Sequence, residues 1–212
     1  MLAVDVETTG LSSNDRMVSF AGILMDTEAL ENGEWSLRFV HLVFDPGFKG
    51  SAQAERVHGY SDWFLRHQPF ATENIDLIED LFKEADVIVA HNASFDMDFI
   101  SREFVEAGLD APIKPVFCTM EGWRKYYPGL RASLNAVCRG IGIGRMSQRH
   151  GALEDAWLAL QVYLYLRSDH TPIGFLPDMP MAFANEQPVP PMPEGPLPRR
   201  KRRKKVQTGG GR

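Results

Sequence analysis

The sequence predicts an α/β protein, a mixed sheet flanked by helices, and two observations carry that expectation. Three strand-like segments come first, and strand-like and helix-like segments then alternate up to about residue 170. The chain has 212 residues, 44% of them hydrophobic, which is material for one sizeable core but not for two full domains with linkers.

Residues 1–7 (MLAVDVE) are short, apolar and β-branched and end at Thr8-Thr9-Gly10, the pattern of a buried strand. Residues 17–26 and 35–44 read as two more strands split by a polar turn region at Asn32-Gly33, so the first three strands form an antiparallel meander. A helix follows at 73–84, where Ile75, Ile78, Leu81 and Phe82 share one face. Strand 86–90 (DVIVA) ends at His91-Asn92, and the next helix runs from about Ser94 to Ala107. A strand at 115–118 precedes a short helix at 133–140, with Ser133 as its N-cap, and a long helix at 151–168. After Arg167 the composition changes. Nine prolines between 172 and 198 exclude a packed helix or a central strand and imply an extended tether. The chain thus divides into a folded domain at 1–170, a Pro-rich tether at 171–198 and a basic tail at 199–212.

The formal charge of −5 hides an asymmetry. Residues 199–205 read RRKRRKK, whereas residues 1–198 hold 15 Lys and Arg against 28 Asp and Glu, a formal −13. A passive nucleic-acid binder presents a basic surface, so an acidic body that handles phosphates needs cations between the two. Two cysteines, Cys118 and Cys138, make no disulfide framework and read as reduced core thiols of a cytoplasmic protein. No apolar run reaches membrane-spanning length and no secretory leader precedes the first strand, so no membrane partner is expected.

Four carboxylates stand at the edges of these elements. Asp5 and Glu7 are two apart on the first strand, so they share a face while Val4 and Val6 take the other. Two such acids repel each other and lose hydration. Either the strand lies at an edge with one solvated face, or cations neutralise the pair. The second fits a chain-initial apolar strand better. Asp96, in HNASFD, follows the end of strand 86–90, where open α/β sheets form sites, although an acid in a first helical turn also serves the helix dipole. In HGALEDA, His150 precedes the long helix, and Asp155 lies one and a half turns into it among Ala152, Ala156, Leu158 and Ala159. The set combines four acids for metals with a histidine for proton transfer. All-oxygen ligation suits Mg²⁺ or Mn²⁺ and disfavours Zn²⁺. Two such ions ~4 Å apart clamp the attacking and leaving oxygens of an in-line phosphoryl displacement.

At these residues the sequence resembles the DEDD-type 3′→5′ exonucleases with a catalytic histidine. The likeness is greatest to the proofreading epsilon subunits of bacterial DNA polymerase III. The matching pieces are DVETTGL at 5–11, VHGYSD at 57–62, HNASFD at 91–96, SLNAVC at 133–138 and HGALEDA at 150–156, in the family's order. The resemblance implies an RNase H-like exonuclease fold with a five-stranded mixed sheet flanked by helices. It implies two divalent cations, Mg²⁺ or Mn²⁺, with Asp5 bridging both, Glu7 and Asp155 on the first and Asp96 on the second. It implies His150 as the general base, Thr8, Leu11 and His58 near the terminal nucleotide, with Leu11 as an apolar wedge, and Asn92 as support around the metals. The family's acidic residue upstream of VHG is replaced by Gln53.

DMPMAF at 178–183 resembles a sliding-clamp-binding segment whose leading Gln is here Asp178. No match to the family's polymerase-binding region follows residue 184, which leaves a DNA polymerase partner open. The basic tail reads as an electrostatic arm for DNA or RNA, a nuclear-localisation-like run, or a solubilising terminus. The expected substrate is a single-stranded or mispaired DNA 3′ end. An exoribonuclease, a non-catalytic clamp- or polymerase-binding accessory protein and a cation-binding structural protein are the rivals. The accessory reading sits poorly with a complete set of four acids and one histidine.

Overall fold

The structure is a computed structural model that describes residues 1–34, 36–145, 150–167 and 183–200. The elements follow in chain order as β1 (Leu2–Thr8), β2 (Met17–Met25), α1 (Thr27–Glu31), β3 (Leu37–Val43), α2 (Ala52–His58) and α3 (Asp62–Leu65). After them come α4 (Ile75–Glu84), β4 (Ile88–Ala90), α5 (Ala93–Glu106), β5 (Val116–Cys118), α6 (Thr119–Tyr126), α7 (Leu134–Gly140), α8 (Ala152–Arg167) and β6 (Phe183–Ala184).

The sheet runs β5-β4-β1-β2-β3-β6. β1, β2 and β3 form the antiparallel meander, with Asp5 opposite Ala21 and Phe20 opposite Leu42. β4 joins β1 in parallel and β5 joins β4 in parallel, which makes the sheet mixed. The five expected strands are all present, and the two-residue β6 adds a sixth, parallel to β3. β1 is therefore interior, and the edge-strand explanation of its two acids is excluded.

Alternation along β1 sends its residues into two cores. Val4 and Val6 pack with Phe20 and Leu42 under α4 and α5, against Ile78, Phe82, Phe99 and Phe104. Ala3, Ala21, Ile23 and Val89 pack under α8, against Ala156, Trp157 and Leu160. The alanines on both sides let α8 lie close over β1, on the face that also carries Asp5 and Glu7. The far side of α8 is covered in turn. Leu158 and Val162 meet Trp123 of α6 and Val137 of α7, so α8 is buried nearly all round. Each large apolar side chain so buried contributes roughly 1.5–3 kcal/mol.

Three expectations differ from the structure. The Asn32-Gly33 turn is preceded by one helical turn, α1, capped by Asp26. Ser133 has the extended backbone of an N-cap, but its side chain makes no capping hydrogen bond. Of the Pro-rich tether, residues 171–182 lie outside the described residues, but 183–198 are not free. Asn185 copies a strand pairing with its side chain. Its Oδ1 accepts from Val43 N–H (2.7 Å) and its Nδ2 donates to Val43 C=O (3.1 Å). The Gln187 amide donates to Gln68 Oε1 (2.8 Å), Trp63 Nε1 donates to Pro190 C=O (2.8 Å), and Arg66 donates to Pro198 C=O (2.7 Å). No helix among the described residues is long and apolar enough to cross a membrane.

Candidate active site

The strand ends put the acids together. β1 delivers Asp5 and Glu7 at its carboxyl end, on the α8 face. Asp96 lies in the first turn of α5, just past the carboxyl end of β4. Its Oδ1 accepts a hydrogen bond from Val6 N–H (3.1 Å), which fixes it against β1. The chain makes the tight passage from β4 into α5 through Asn92, whose φ of 66° is the one positive value at a non-glycine among the described residues. Asparagine tolerates that left-handed conformation better than other side chains. Asp155 comes from α8 and is buried.

The electrostatics register this convergence. Burial drives the Asp5 carboxyl well above the usual range, and Asp96, Asp155 and Glu7 push it further while Arg145 pulls the other way. Glu7 is raised to about 7, first by burial and then by Asp155. Asp96 is raised by burial, against the Val6 amide and its own backbone amide, with Glu7 and Asp155 adding to the rise. Four acids that repel one another in a poorly hydrated place call for positive charge.

Arg145, which the sequence did not single out, supplies part of it. Its Nη1 donates to Asp155 Oδ1 and lies 3.4 Å from Glu154 Oε2, and its Nε donates to Asn135 Oδ1 (3.0 Å). Nothing in the loop sequence marks this arginine, which stands ten residues from its partner. His150 Nδ1 lies 3.1 Å from the other Asp155 oxygen, and its amide donates to Val57 C=O (3.3 Å), tying the start of α8 to α2. The His150 side chain is 43% exposed. His91 is engaged on both ring nitrogens, by Thr119 Oγ1 (2.9 Å) and Ala132 C=O (2.8 Å), and serves the packing beside the site.

A groove of about 760 Å³ opens beside the acids, lined by Glu7, Thr8, Leu11, Gln53, Val57 and His58 among others. Leu11 is 84% exposed there. Its loop is held from within by Asp15, which accepts from Thr9 Oγ1 (2.7 Å), Ser12 N–H (2.8 Å) and Ser12 Oγ (2.7 Å). Arg102 ties down the loop carbonyls of Ser13 (2.8 Å) and Asp15 (3.0 Å). A rigidly held, solvent-exposed leucine at a groove is placed to meet an apolar face of a ligand. His58 ends α2 at Gly59, whose φ of 81° turns the chain so that Tyr60 N–H donates to His58 Nδ1 (3.0 Å). Burial lowers the His58 pKa to about 4, so its ring is neutral. Thr8, Leu11 and His58 thus share one groove with Glu7, whereas Asn92 lies outside the groove lining and acts through the backbone.

As donors, these carboxylates suit a hard divalent cation. Among the described residues no three His, Cys, Asp or Glu side chains already stand at ligand spacing.

A family profile described as Exonuclease (RNase_T) matches residues 2–163, most of the chain. The chain belongs to the exonuclease family. It is a nuclease, a hydrolase, and metal dependence is general in this family. This exonuclease is 29% identical over 185 residues to the DNA polymerase III subunit epsilon of Escherichia coli K12, covering 82% of this chain and 74% of that one. It is 31% identical over 192 residues to the corresponding subunit of Buchnera aphidicola, covering 82% and 77%. Among solved structures it is similar in fold to Exonuclease X in complex with 5′ overhanging duplex DNA, with a TM-score of 0.56, 21% identity and coverage of 81% and 94%. An Exonuclease I structure gives a TM-score of 0.65 at 18% identity, covering 77% and 40%.

Proposed function

We propose that this exonuclease removes nucleotides one at a time from the 3′ end of DNA, acting on single-stranded or mispaired termini in replication proofreading or repair. The observation that carries the reading is the meeting of Asp5, Glu7, Asp96 and Asp155 beside a groove, with His150 on Asp155. The kinship to DNA polymerase III epsilon subunits supports DNA as substrate and a DNA polymerase as partner.

In this reading Asp5, Glu7, Asp96 and Asp155 hold two divalent cations, Mg²⁺ or Mn²⁺. The bound ions would stabilise charge on the attacking and leaving oxygens of the scissile phosphate. His150 accepts the proton of the attacking water. With Nδ1–H turned to Asp155, Nε2 is the basic nitrogen, an assignment inferred from the hydrogen bond. Leu11 lies under the terminal base, and Thr8 and His58 orient the terminal nucleotide in the groove. A strand end must be unpaired to enter, which favours a mispaired terminus. Sliding-clamp binding through 178–183 remains a proposal on sequence alone, because residues 178–182 lie outside the described residues and Phe183 begins β6.

The test is digestion of 5′-labelled single-stranded DNA and of its RNA counterpart, with Mg²⁺ or Mn²⁺, with EDTA, and with Asp5→Ala. The expected result is a metal-dependent ladder on DNA that shortens from the 3′ end and falls by at least about 10²-fold in the variant. Asp5→Ala should melt at the same temperature as the wild type or slightly higher without metal, since acid–acid repulsion is relieved. Faster cutting of RNA would transfer the reading to an exoribonuclease. No cleavage of either strand would leave a non-catalytic accessory protein.

A further inference from the structure

Cations are scarce on this acidic protein, and several are engaged by carboxylates. Arg16 pairs with Glu103, Arg38 with Glu84, Lys83 with Glu79 and Arg102 with Asp98. In the docked strap at 183–200, Arg200 binds both Asp45 and Asp62. One stretch concentrates positive charge instead. Residues 119–145, which carry α6 and α7, hold Arg124, Lys125, Arg131, Arg139 and Arg145 against the single acid Glu121, a formal +4 within a body of −13. Arg145 reaches Asp155. Arg124, Lys125, Arg131 and Arg139 are exposed, and none forms an ion pair among the described residues.

This stretch borders the acids on the side away from the groove. The groove is walled by Leu11 and by α2, which follows β3. α6 leaves directly from β5, two strands from β1 in the opposite direction. Contacts tie it to the site. His91, at the end of β4, meets Thr119 Oγ1 at the start of α6 (2.9 Å) and the carbonyl of Ala132, the neighbour of Arg131 (2.8 Å). Arg145 Nε donates to Asn135 Oδ1 of α7 (3.0 Å) while its Nη1 donates to Asp155. Burial lowers the His91 pKa, the Ala132 carbonyl and Asp155 work against that, and Arg124 lowers it further, so this guanidinium stands within electrostatic reach of the ring. The mount is firm. Trp123 and Val137 are buried against Leu158 and Val162 of α8, and the Tyr127 hydroxyl lies 3.1 Å from that of Tyr165.

A strand whose terminal nucleotide lies in the groove has its scissile phosphate at the acids and continues past them, toward α6 and α7. Each further phosphate is repelled by the acidic body unless local positive charge cancels the field. Arginines without a carboxylate partner can do this without first breaking an ion pair, and the guanidinium fork matches phosphate oxygens. Charge placed for solubility alone mixes both signs, whereas this surface is nearly all of one sign.

We propose that Arg124 and Arg131, with Lys125 beside them, hold the phosphate backbone of a single-stranded nucleic acid just upstream of the bond that is cut. The inference rests on the nuclease reading, which supplies a strand end at the acids, and it adds the path the strand takes away from them.

The test uses the full chain in an Asp5→Ala background, so that a 5′-labelled (dT)20 probe stays whole, with affinity read by fluorescence anisotropy across a salt series. Two double variants lose the same charge. One is Arg124→Gln with Arg131→Gln, and the other is Arg38→Gln with Lys83→Gln, whose cations pair with Glu84 and Glu79. The first is expected to bind (dT)20 about tenfold more weakly at low salt, with a salt slope shallower by about 1.4, the value for two single-strand phosphate contacts. The second should bind within about twofold of the parent. Arg124→Lys with Arg131→Lys keeps the charge and should keep the slope. Equal losses in both Gln variants would reduce the effect to net charge and overturn the proposal, as would a first variant that binds like the parent. Loss of a labelled polyglutamate probe with (dT)20 retained would overturn it in favour of an acidic protein partner. Thermal melting of each variant separates a lost contact from a lost fold. Hydrolysis of a chromogenic mononucleotide ester by the otherwise unaltered chain reports the nuclease reading by itself, because that substrate has no upstream phosphate. Ester cleavage with equal (dT)20 affinities would sink the path alone; an inert chain would sink the reading beneath it.

Discussion

At Asp155 two basic groups share one carboxylate, Arg145 on one oxygen and His150 on the other. A divalent cation bound there must compete with the arginine. Arg145→Gln is therefore expected to bind Mn²⁺ several-fold more tightly in calorimetry and to melt lower in EDTA, where the acids lose their counterion; an unchanged affinity would remove Arg145 from the competition. His150→Ala should lower turnover by roughly 10²-fold or more through loss of the base while Mn²⁺ still binds, and a collapse of affinity in that variant would contradict the base role. His58 allows a pH test away from the acids. Its folded pKa of about 4 lies below the ordinary 6.5, so the unfolded chain binds more protons between those values. The stability it contributes is complete above pH 6.5 and is lost as pH falls through 4. His58→Gln should flatten that acid limb by about 3 kcal/mol, measured as urea midpoints from pH 7 to 4. Asp5, Glu7, Asp96, Asp155 and His150 were legible because each sits at a strand end or helix start that periodicity already marks. Arg145 was not, because a charge in an aperiodic loop shows its partner only once the chain is folded.

Among the elements, those with a long apolar pattern or a clear β-branched run are legible in the sequence, and short polar ones are not. α4, α5 and α8 follow apolar patterns, and β1 to β4 end at turn or loop residues. α2 is bracketed by Ser51 and the left-handed Gly59, signals that were available, but its polar seven residues carry no apolar stripe. α6 follows β5 with no intervening turn, Cys118 serving both as the last strand residue and as the helix cap. β6 could not be read, since two residues carry no periodicity and the pairing is extended by the Asn185 side chain. Asn185→Ala should remove both bonds to Val43, cost about 1–2 kcal/mol of local stability and speed hydrogen exchange at the Val43 amide. Unchanged exchange at Val43 would mean that the strap leaves this strand by itself.

For the molecule as a whole, the strong acidity of residues 1–198 and the basic run after them were visible in the sequence, but their relation was not. The prolines correctly excluded a helix over 183–198. They did not exclude docking, because proline lacks only the donor: Trp63 and Arg66 use the carbonyls of Pro190 and Pro198. The same strap also bears on how copies of the protein behave toward each other. An uncovered strand presents a row of free amides and carbonyls that a neighbouring chain can complete. β6 and Asn185 fill that row along Val40–Val43, while the opposite border of the sheet is the three-residue β5, too short to offer much of a template. Shortening the chain ahead of residue 183 therefore does more than remove a tail. It opens an adhesive seam, and the shortened protein is expected to elute as concentration-dependent oligomers where the full chain does not.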